Sequence, residues 1–418
     1  MSTAIQSNLP VSSSLADTIR FKFAGLMLGR MIYRASVKIS SRSSSLNMTI
    51  DHGNEQFFHM EMASDSVLWD MLRNPDPGMG ESYMDDKWEM KVGDMGAFLT
   101  MLGRGRDQML ASPFGRFLRL ITNKIPQKYQ HDIDSSYGLI QHHYDIGNEL
   151  YKTFLDEGMN YSCAFFETPE QSLRDAQLNK MHITIKRLDV KEGMKVLDIG
   201  CGWGETCRAI SATTGVTITG ITLAENQIEY ARVQNEYATT QPGSQPIFQP
   251  IFQLQDYREH AGNHKNYYDR IVSIGMVEHV GKNNLDEYFK AIAYQLKPGG
   301  RALIHSIARS GKPATVGLAS PWLIKYIFPG GHIPEVKELC DAAEKQGLKL
   351  AAEPFLHGPF HYAETLRRWR QNFLLNFEQL DPEKYDDRFK RMWLFYYCMC
   401  EGMFEGCDFH VTQVLCEK

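Results

Sequence analysis

The chain has 418 residues, which is too long for one ordinary hydrophobic core, so we expect two domains. Hydrophobic residues make up 43% of the sequence and charged residues 23%, the composition of a soluble globular protein. The net charge of −5 disfavours nucleic acid as the main partner, because proteins that bind duplexes usually carry a basic excess.

Cysteine usage and hydropathy indicate the compartment. Eight cysteines are spread along the chain without a CxxC pair or a zinc-type spacing, so neither disulfides nor a metal site is expected. No apolar run reaches the roughly 20 residues that span a bilayer, and the N-terminus lacks the pattern of a secretory signal. We therefore expect a cytoplasmic protein whose contact with the inner face of the cell membrane is peripheral.

The N-terminal quarter has a mixed pattern. Residues 1–18 are rich in serine and are predicted to be disordered. The segment 21–32 is predicted to be a short helix or a surface-binding segment, and short strands are expected within 46–68. Turn residues occupy 75–78, and the apolar spacing over 99–125 predicts a helix.

Basic residues are concentrated in two parts of this quarter. The first fifty residues hold six Lys or Arg and a single acid, Asp17, and a second basic stretch runs from Arg104 to Lys128. Such segments suit contact with an anionic membrane surface. A solvated face with a mobile tail explains them equally well.

After Pro126, apolar strand-like runs alternate with helix-like runs. The predicted strands are 195–199, 216–221, 250–254, 269–274 and 301–307. The predicted helices are 205–212, 224–237 and 285–296. This alternation predicts an α/β domain with a doubly wound, mainly parallel sheet over 126–418, beside a smaller N-terminal α+β domain over 1–125.

The strongest local signal is Val196-Leu-Asp-Ile-Gly-Cys-Gly-Trp-Gly204, a buried strand that leads into a glycine-rich turn and a helix. Glycines let the backbone approach a ligand closely, and a helix N-terminus follows at once. A dinucleotide site would need glycine in place of Glu205 and an acid at the end of the next strand. That strand ends at 220–223 without one, so nicotinamide binding is disfavoured.

The G-x-G-x-G spacing after Asp198 resembles motif I of the class I S-adenosylmethionine methyltransferases. The resemblance implies that the three glycines wrap the cofactor, that residues after the second strand flank its ribose, and that residues after the third strand bind its adenine. The implied cofactor-binding positions are Tyr161, Ser162, Gly200, Gly202, Gly204, Thr222, Leu223, Gln227, Asp256, Tyr257 and Gly275. Without the resemblance, the motif could simply be a turn of an unrelated α/β domain.

Further stretches carry a second resemblance. They are 143–151 (His-Tyr-Asp-Ile-Gly-Asn-Glu-Leu-Tyr), 160–167 (Asn-Tyr-Ser-Cys-Ala-Phe-Phe-Glu), 255–258, 273–281, 305–307, 326–331, 361–366 and 396–404. In this order they are similar to the cyclopropane-fatty-acyl-phospholipid synthases, which include the mycolic acid modifying enzymes. The match covers nearly all of residues 140–418. It is vague before residue 75, although 77–88 resembles the family's N-terminal lipid-binding domain.

The resemblance implies an enzyme that alkylates the double bond of an unsaturated phospholipid acyl chain and closes it to a cyclopropane. It also implies a homodimer. An alkene that attacks the sulfonium methyl becomes a carbocation, so the site must exclude water. Aromatic faces stabilise a cation by about 0.5–2 kcal/mol each. The predicted ring wall is Tyr161, Phe165, Phe166 and Tyr362.

Ring closure requires a base, which this family supplies as bound bicarbonate. Carried over by position, the ion is held by Cys163, Glu278, His305, Ile307 and Tyr362. Cys163 and Ile307 would act chiefly through their main chains. Taken singly, each residue also has a structural explanation, such as a core histidine, a helix-capping acid, a small buried thiol or a packed ring.

Other reactions stay open. A related enzyme could methylate the alkene and give a methylene- or methyl-branched chain, or the substrate could be a small molecule methylated on nitrogen. A nucleic-acid methyltransferase with Cys163 as nucleophile would need a strongly basic cleft. A non-enzymatic lipid-binding scaffold would not need the intact site that the motifs predict.

Overall fold

The computed structural model describes two compact units, with their elements numbered here along the whole chain. The described residues are 14–53, 56–111, 146–240, 249–309 and 320–418, with the backbone alone at 107–111 and 238–240. One unit consists of Met1–Ile125, Ser320–Tyr326 and Pro382–Cys407, and the other of Pro126–Ala319, Ile327–Asp381 and Asp408–Lys418. Two stretches that sequence analysis assigned to the catalytic region, 320–326 and 382–407, therefore lie in the first unit.

The first unit combines a four-stranded sheet with helices. Its strands are β1 (Ala35–Ser41), β2 (Asn47–Asp51), β3 (Gln56–Met62) and β4 (Trp88–Val92). Its helices are α1 (Leu15–Gly29), α2 (Val67–Arg73), α3 (Pro75–Met84), α4 (Met95–Ala111), α11 (Pro321–Tyr326) and α14 (Asp387–Gly406). The strand order is β2-β1-β3-β4, with β1 and β3 parallel and the other pairs antiparallel. Ala35, Val37 and Ile39 of β1 point into the core, which is the alternation of a half-buried strand.

The prediction of disorder over 1–18 was wrong for residues 14–18. Helix α1 begins at Leu15, capped by the Ser14 hydroxyl, which accepts a hydrogen bond from the Asp17 N–H, so 14–18 is ordered. The turn predicted at 75–78 falls at a kink near the start of α3, where Asp76 has extended φ and ψ angles of −139° and 112°, so these residues interrupt the helix as their turn chemistry predicts. Residues 1–13 and most of the second basic stretch lie outside the described residues.

The second unit is an α/β domain. Its strands are β5 (Val196–Ile199), β6 (Ile218–Thr222), β7 (Ile251–Leu254), β8 (Tyr268–Ile274), β9 (Leu296–Arg309), β10 (Lys349–Leu350), β11 (Phe355–His357) and β12 (Phe409–Glu417). Its helices are α5 (Asn148–Phe154), α6 (Leu173–Leu188), α7 (Glu205–Thr214), α8 (Glu225–Thr240), α9 (Tyr257–Gly262), α10 (Leu285–Gln295), α12 (Val336–Lys345) and α13 (Pro359–Asn376). Short 3-10 helices lie at Val277–His279, Lys282–Asn284 and Phe377–Gln379.

The sheet of this unit has the order β10-β12-β9-β8-β5-β6-β7, and β11 pairs with β12. Strands β7, β6, β5, β8 and β9 pair in parallel, whereas β12 runs antiparallel to β9. The predicted doubly wound, mainly parallel sheet is confirmed. All five predicted strands are present, with ends that differ by a few residues.

Apolar side chains cover both faces of this sheet, which explains why its parallel strands are continuously hydrophobic. On one face, Leu197 and Ile271 belong to a cluster with α10 and α12 residues such as Ile292 and Leu339. On the other face, Val196 and its neighbours pack with residues of α6, α7 and α8. Successive residues of β5 thus alternate between two separate cores.

Sequence analysis did not identify β12 as a strand. Its sequence, Phe-His-Val-Thr-Gln-Val-Leu-Cys-Glu, places the polar residues Thr412 and Gln413 in its centre, and both are fully buried. A strand buried on both faces lacks the alternation of polar and apolar residues that identifies half-buried strands. Pairing with β9 is what makes this segment a strand.

Two properties of the described residues concern membranes and thiols. Among the helices in those ranges, none combines the length and the apolar character needed to cross a bilayer. All eight cysteines fall within the described ranges and are free thiols.

Candidate active site

A pocket lies at the carboxyl ends of the parallel strands, where the strand order reverses and ligands of α/β sheets usually bind. Strand β5 has β6 on one side and β8 on the other, and the segments that follow these strands line the pocket together with 159–162. The pocket holds about 750 Å³ of empty space, part of it open to solvent. The predicted cofactor positions that line it are Tyr161, Ser162, Gly200, Gly202, Thr222, Gln227 and Gly275.

The glycine-rich turn follows β5 directly. Gly200, Gly202 and Gly204 have φ angles of 83°, 54° and 83°, a left-handed region that costs other residues roughly 1–2 kcal/mol. A Cβ atom at Gly200 would lie 2.8 Å from Met276 Cβ, and one at Gly204 would lie 2.6 Å from Phe252 Cζ. A Cβ atom at Gly202 would meet no described atom within 4 Å. Packing therefore requires glycine at 200 and 204, whereas Gly202 leaves space for a ligand.

The end of β6 offers polar groups to the same pocket. The Thr222 hydroxyl lies 3.4 Å from Gln227 Oε1, to which it donates, and it accepts a hydrogen bond from the Ala224 N–H at 3.2 Å. Thr222 and Gln227 are largely buried and line the pocket, whereas Leu223 is half-buried outside its lining. A carboxamide and a hydroxyl placed side by side can bind the hydroxyl groups of a sugar.

Asp256 and Tyr257 lie outside the pocket lining. The Asp256 carboxylate caps α9 by accepting from the Arg258 N–H at 2.8 Å, and both its oxygens also bind the Arg258 guanidinium at 2.8 Å. The Tyr257 ring packs edge-on against Tyr288, and burial raises the pKa of the Tyr257 hydroxyl. Both side chains have structural partners, and their contact with adenine stays a prediction.

Lys180 is a residue that sequence analysis missed. This lysine of α6 is only 1% exposed, and its ammonium group donates to Ser162 Oγ at 2.8 Å and to Gln177 Oε1 at 2.7 Å. Burial lowers its pKa to about 8. The signal was present in the sequence, because Gln177, Lys180 and Thr184 recur at helical spacing within the buried face of α6. A buried cation therefore lies directly behind the pocket wall.

A chain of ion pairs joins the pocket wall to the start of α7. The Arg174 guanidinium binds Asp156 Oδ2 at 3.0 Å and Glu205 Oε1 at 2.7 Å. Asp156 in turn accepts hydrogen bonds from the main chain and the side chain of Asn160. Because Asn160 and Glu205 line the pocket, these bonds fix the segment that carries Tyr161 and Ser162.

Glu278 and Ile307, both predicted to hold bicarbonate, contact each other. The Ile307 N–H donates to Glu278 Oε1 at 2.7 Å. Glu278 Oε2 is shielded from solvent and has no hydrogen-bond partner among the described residues. Burial raises the pKa of this carboxyl to about 7. The main-chain donor expected to bind the ion is thus used to orient Glu278, which leaves Oε2 available.

His305 lies two residues before Ile307 on β9 and is 2% exposed. Its Nδ1 is 3.3 Å from Gln413 Nε2, and its Nε2 is buried without a partner in the described part of the chain. Burial holds the pKa of the imidazole well below its usual value, so the ring is neutral. The His305 carbonyl accepts from the N–H of pocket-lining Gly275 at 2.9 Å, which links β9 to the pocket.

Cys163 and Tyr362 are the other two residues predicted to hold bicarbonate. Cys163 is 2% exposed, its thiol donates to the Ala164 carbonyl, and burial raises its pKa. The Ala164 N–H donates to Thr365 Oγ1 at 3.0 Å, which joins this segment to α13 and its buried Tyr362. A buried thiol that stays protonated is a poor nucleophile, which disfavours a reaction through a covalent Cys163 adduct. The charge of Lys180 opposes the effect of burial on the pKa of Cys163 and adds to it for the pKa of His305.

Aromatic rings surround the pocket-lining Tyr161. Its ring centroid is 5.2 Å from that of Trp369 and 6.4 Å from that of Phe328, which is stacked on it. Tyr362 meets the same Trp369 edge-on at 6.0 Å. Of the predicted ring wall, Phe165 stacks instead on His361, and Phe166 contacts Phe360. Trp369 therefore connects two predicted wall residues, and its own place in the wall was not predicted.

Comparison with known proteins agrees with this geometry. The family model described as mycolic acid cyclopropane synthetase matches residues 131–414. The chain is 34% identical over 345 residues to the cyclopropane-fatty-acyl-phospholipid synthase of Escherichia coli (strain K12), covering 82% of this chain and 84% of that protein. It is also 34% identical over 339 residues to the tuberculostearic acid methyltransferase UfaA1 of Mycobacterium tuberculosis, covering 79% and 76%.

A solved structure of mycolic acid cyclopropane synthase CmaA1, in complex with SAH and CTAB, superposes with a TM-score of 0.59 at 28% identity. The match covers 68% of this chain and 98% of that one. The glycine-rich turn, the sheet order and this likeness define the protein as a class I S-adenosylmethionine-dependent methyltransferase. Within that class, the chain belongs to the mycolic acid cyclopropane synthetase family.

Gly202→Ala tests whether the cofactor approaches the glycine-rich turn at Gly202. We expect the dissociation constant for S-adenosylmethionine to rise at least about tenfold, because the added methyl group would occupy space that the ligand needs. Isothermal titration calorimetry measures this change. Gly193→Ala is the matched control, because Gly193 has a φ of 80° and an equally open Cβ position but is absent from the pocket lining.

Both alanine variants should lose about 1–2 kcal/mol of unfolding free energy from the left-handed backbone conformation. Only Gly202→Ala should also bind the cofactor more weakly. Equal weakening by Gly193→Ala would show that general destabilisation, rather than contact with Gly202, lowers the affinity.

Glu278→Gln tests whether the protein retains a destabilising buried carboxylate. The folded-state pKa of about 7 lies above the reference value of 4.5, so the folded state resists ionisation. Stability therefore falls as pH rises from 4.5 to 7, and the whole cost is present above pH 7. In bicarbonate-free buffer at pH 8, the unfolding free energy of the variant should exceed that of wild type by about 1–2 kcal/mol. The pKa shift of the carboxyl corresponds to roughly 3 kcal/mol, and the buried amide of the variant, which also lacks a partner, offsets part of it.

Denaturant titrations of the two proteins at pH 4.5 and pH 8 measure this difference. The difference should reverse at pH 4.5, where the variant should be about 1–2 kcal/mol less stable than wild type, because the wild-type carboxyl is then protonated in the folded state and the amide penalty remains. Methyl transfer should nevertheless be strongly reduced in the variant. A variant that is less stable than wild type at pH 8 would contradict the assignment of a strained carboxylate.

Proposed function

We propose that this methyltransferase converts the cis double bond of an unsaturated phospholipid acyl chain into a cyclopropane. Similarity to the Escherichia coli synthase over most of both chains supports this substrate class. The observation that carries the proposal is a pair of buried groups, Glu278 Oε2 and His305 Nε2, which have no hydrogen-bond partner in the described part of the chain and lie beside a pocket with an aromatic wall. The homodimer implied by the resemblance stays a prediction that light scattering would test.

The proposed reaction has two bond-forming steps. The π electrons of the alkene form a bond to the methyl carbon as its bond to sulfur breaks, which leaves a cation on the neighbouring carbon. A proton then leaves the new methyl group, and the C–H electron pair closes the three-membered ring. The lipid gains one CH₂ in total. Water in the site would capture the cation before the ring closed.

The side chains around Tyr161 suit such a cation. The rings of Tyr161, Phe328 and Trp369 present π faces and edges at centroid distances of 5.2–6.4 Å, and Trp369 is fully buried. Each suitably placed ring face stabilises a cation by about 0.5–2 kcal/mol and at the same time excludes water. The wall proposed here thus consists of Tyr161, Tyr362, Phe328 and Trp369.

The polar groups of the site fit a bicarbonate ion. The ion has one hydroxyl donor and several acceptor oxygens, so it suits a site with one buried acceptor and one buried donor. Glu278 Oε2 would accept from the hydroxyl, and His305 would donate from Nε2. The Cys163 main chain and Tyr362 complete the proposed set, while Ile307 acts by orienting Glu278. S-adenosylmethionine supplies the methyl group, and bicarbonate supplies a base of moderate strength.

The direct test uses the purified full-length chain with S-adenosylmethionine, bicarbonate and vesicles of a mono-unsaturated phospholipid. Gas chromatography–mass spectrometry of the released fatty esters should show a product heavier by one CH₂ that resists mild hydrogenation. The same reaction without S-adenosylmethionine is the control.

Two other outcomes would contradict the proposal in different ways. A product that gains one CH₂ but takes up hydrogen would be a methylene branch, which suits the similarity to a tuberculostearic acid methyltransferase. No gain in mass, with the cofactor still bound, would mean that the fold is assigned correctly and the substrate is not. A small-molecule nitrogen substrate would then be the next candidate.

Helix α1 is the proposed contact with the membrane. Its large apolar residues Leu15, Ile19, Phe23 and Leu26 are 50–77% exposed and follow each other at helical spacing. The opposite face carries the buried residues Phe21, Ala24, Gly25 and Gly29, and Gly25 lies so close to Met48 of β2 that a larger side chain would clash. The helix therefore packs through Phe21 and three small residues, and it presents its four exposed apolar residues to solvent, as interfacial helices do.

The charges of α1 favour an anionic bilayer as the occupant of this face. Arg20, Lys22 and Arg30 are exposed on or beside the helix, against the single acid Asp17. Each basic residue near an anionic surface contributes about 1 kcal/mol. Trp69 of α2 contacts Phe23 with ring centroids 6.1 Å apart, and tryptophan is enriched at the level of lipid headgroups.

The double variant Ile19→Gln, Leu26→Gln should bind anionic phospholipid vesicles about 10- to 100-fold more weakly, because two exposed apolar side chains no longer enter the interface. Vesicle sedimentation measures the binding. Leu375→Gln is the matched control, since Leu375 is 78% exposed but lies on α13 of the other unit. Equal binding to neutral and anionic vesicles, unaffected by salt, would contradict the proposed surface.

A further inference from the structure

Gln413 lies directly opposite His305 in the pairing of β12 with β9. Its side chain is fully buried, and its Nε2 is 3.3 Å from both His305 Nδ1 and Thr184 Oγ1. A carboxamide can turn over and exchange its nitrogen and oxygen. Its neighbours therefore decide which of the two atoms faces the histidine.

Thr184 decides the orientation of the carboxamide. Its hydroxyl donates to the Lys180 carbonyl at 2.8 Å within α6. A hydroxyl has one proton, so Thr184 Oγ1 can only accept a further hydrogen bond. The Gln413 atom that faces it must be the donor, Nε2. The reverse orientation would set two oxygens against each other and would move the amide group to the buried position of Oε1, which has no hydrogen-bond partner among the described residues.

The same amide group then determines which nitrogen of His305 carries the proton. Because Gln413 Nε2 is a donor, His305 Nδ1 must accept and must be unprotonated. A neutral imidazole with an unprotonated Nδ1 carries its proton on Nε2. That nitrogen is the one that is buried without a partner among the described residues.

We propose that Gln413 is a positioning residue which, held by Thr184, keeps the proton of His305 on Nε2, so that His305 donates a hydrogen bond into the reaction site. The identity of the group that accepts this bond rests on the proposed function, whereas the tautomer itself does not. In the opposite tautomer, His305 would present an acceptor to an anion and would repel it.

Burial and two further groups favour a neutral His305 ring. The His357 ring of β11 is edge-on to it, with centroids 5.2 Å apart, and the buried Lys180 ammonium lies on α6. Burial is the main cause that lowers the pKa of His305, and His357 and Lys180 lower it further. Because the ring is neutral, it has two possible tautomers, and a neighbouring donor is required to select one.

The first measurement is the ¹⁵N NMR signature of His305 in the full-length wild-type chain labelled with ¹⁵N-histidine. Two-bond proton–nitrogen correlations distinguish the two neutral tautomers, and the spectrum of His305→Asn identifies the signal. We expect the pattern of a ring protonated on Nε2. A ring protonated on Nδ1, or a charged ring, would overturn the proposal without any change at Gln413.

Gln413→Met removes the donor while keeping the length of the side chain. We expect the His305 signal to change to a mixture of tautomers and kcat to fall about 10- to 100-fold, as when a partner that orients a metal-ligating histidine is lost. KM for S-adenosylmethionine should change less than about twofold. Thr184→Val removes the group that holds the Gln413 carboxamide in one orientation. This variant should therefore also give a mixture of His305 tautomers and a lower kcat.

Thr412→Val is the matched control on the same strand. Thr412 is also fully buried, but its neighbour in β9 is Ser306 and its hydroxyl has no hydrogen-bond partner among the described residues. Its side chain points to the opposite side of the sheet from Gln413. The variant should leave both the His305 signal and kcat unchanged.

The outcomes separate this inference from the proposed function. An unchanged His305 signal and rate in both Gln413→Met and Thr184→Val would overturn the positioning role, whatever product the enzyme makes. The expected tautomer in wild type, together with a failed lipid assay, would overturn the proposed substrate and leave the positioning role intact.

Discussion

Strand β9 is held between β8 and β12, and the polar groups of the proposed active site depend on that pairing. His305 is opposite Ile274 of β8 on one side and Gln413 of β12 on the other. The loop after β8 returns to the same strand, where Glu278 accepts the Ile307 N–H. A slip of one residue in this register would turn His305 to the other face of the sheet. Backbone pairing thus fixes which groups the site contains.

Burial of the ionisable groups around the pocket lowers the stability of the fold, and it also excludes water from the proposed reaction. The pKa of Asp198 rises to about 7, that of Glu278 also rises to about 7, and that of Lys180 falls to about 8, in each case chiefly through burial. Each shift means that the charged form is destabilised by the surrounding protein. The same exclusion of water protects a carbocation. The two apolar clusters on the faces of the sheet offset the cost.

A cyclopropane and a branched chain arise from one common alkylation and differ in which proton leaves afterwards. The direction in which the polar groups present their donors and acceptors therefore bears on which product forms. Glu278, oriented by the Ile307 N–H, and His305, oriented by Gln413, are both fixed by hydrogen bonds from strands of the sheet rather than from loops. Rigid placement of this kind favours a single outcome.

Features that depend on neighbouring residues could be predicted from the sequence alone. The alternation of strands and helices predicted the parallel sheet, and Gly200, Gly202 and Gly204 marked the turn after β5, because these signals depend on neighbouring residues. Order at 14–18 was missed because serine-rich composition also suits a capped helix start. The segments 320–326 and 382–407 were assigned to the catalytic region because contacts distant in sequence leave no local pattern.

The sequence by itself determined the fold class, the cofactor turn and the family to which the chain belongs. Only the tertiary structure decided that Ile307 binds Glu278, that Trp369 joins Tyr161 to Tyr362, and that Lys180 is buried behind Ser162. It also placed Gln413, which is 108 residues beyond His305, within hydrogen-bond distance of that ring. Such partners meet through strand register and helix packing, and both are set by the whole sheet rather than by the residues around either partner.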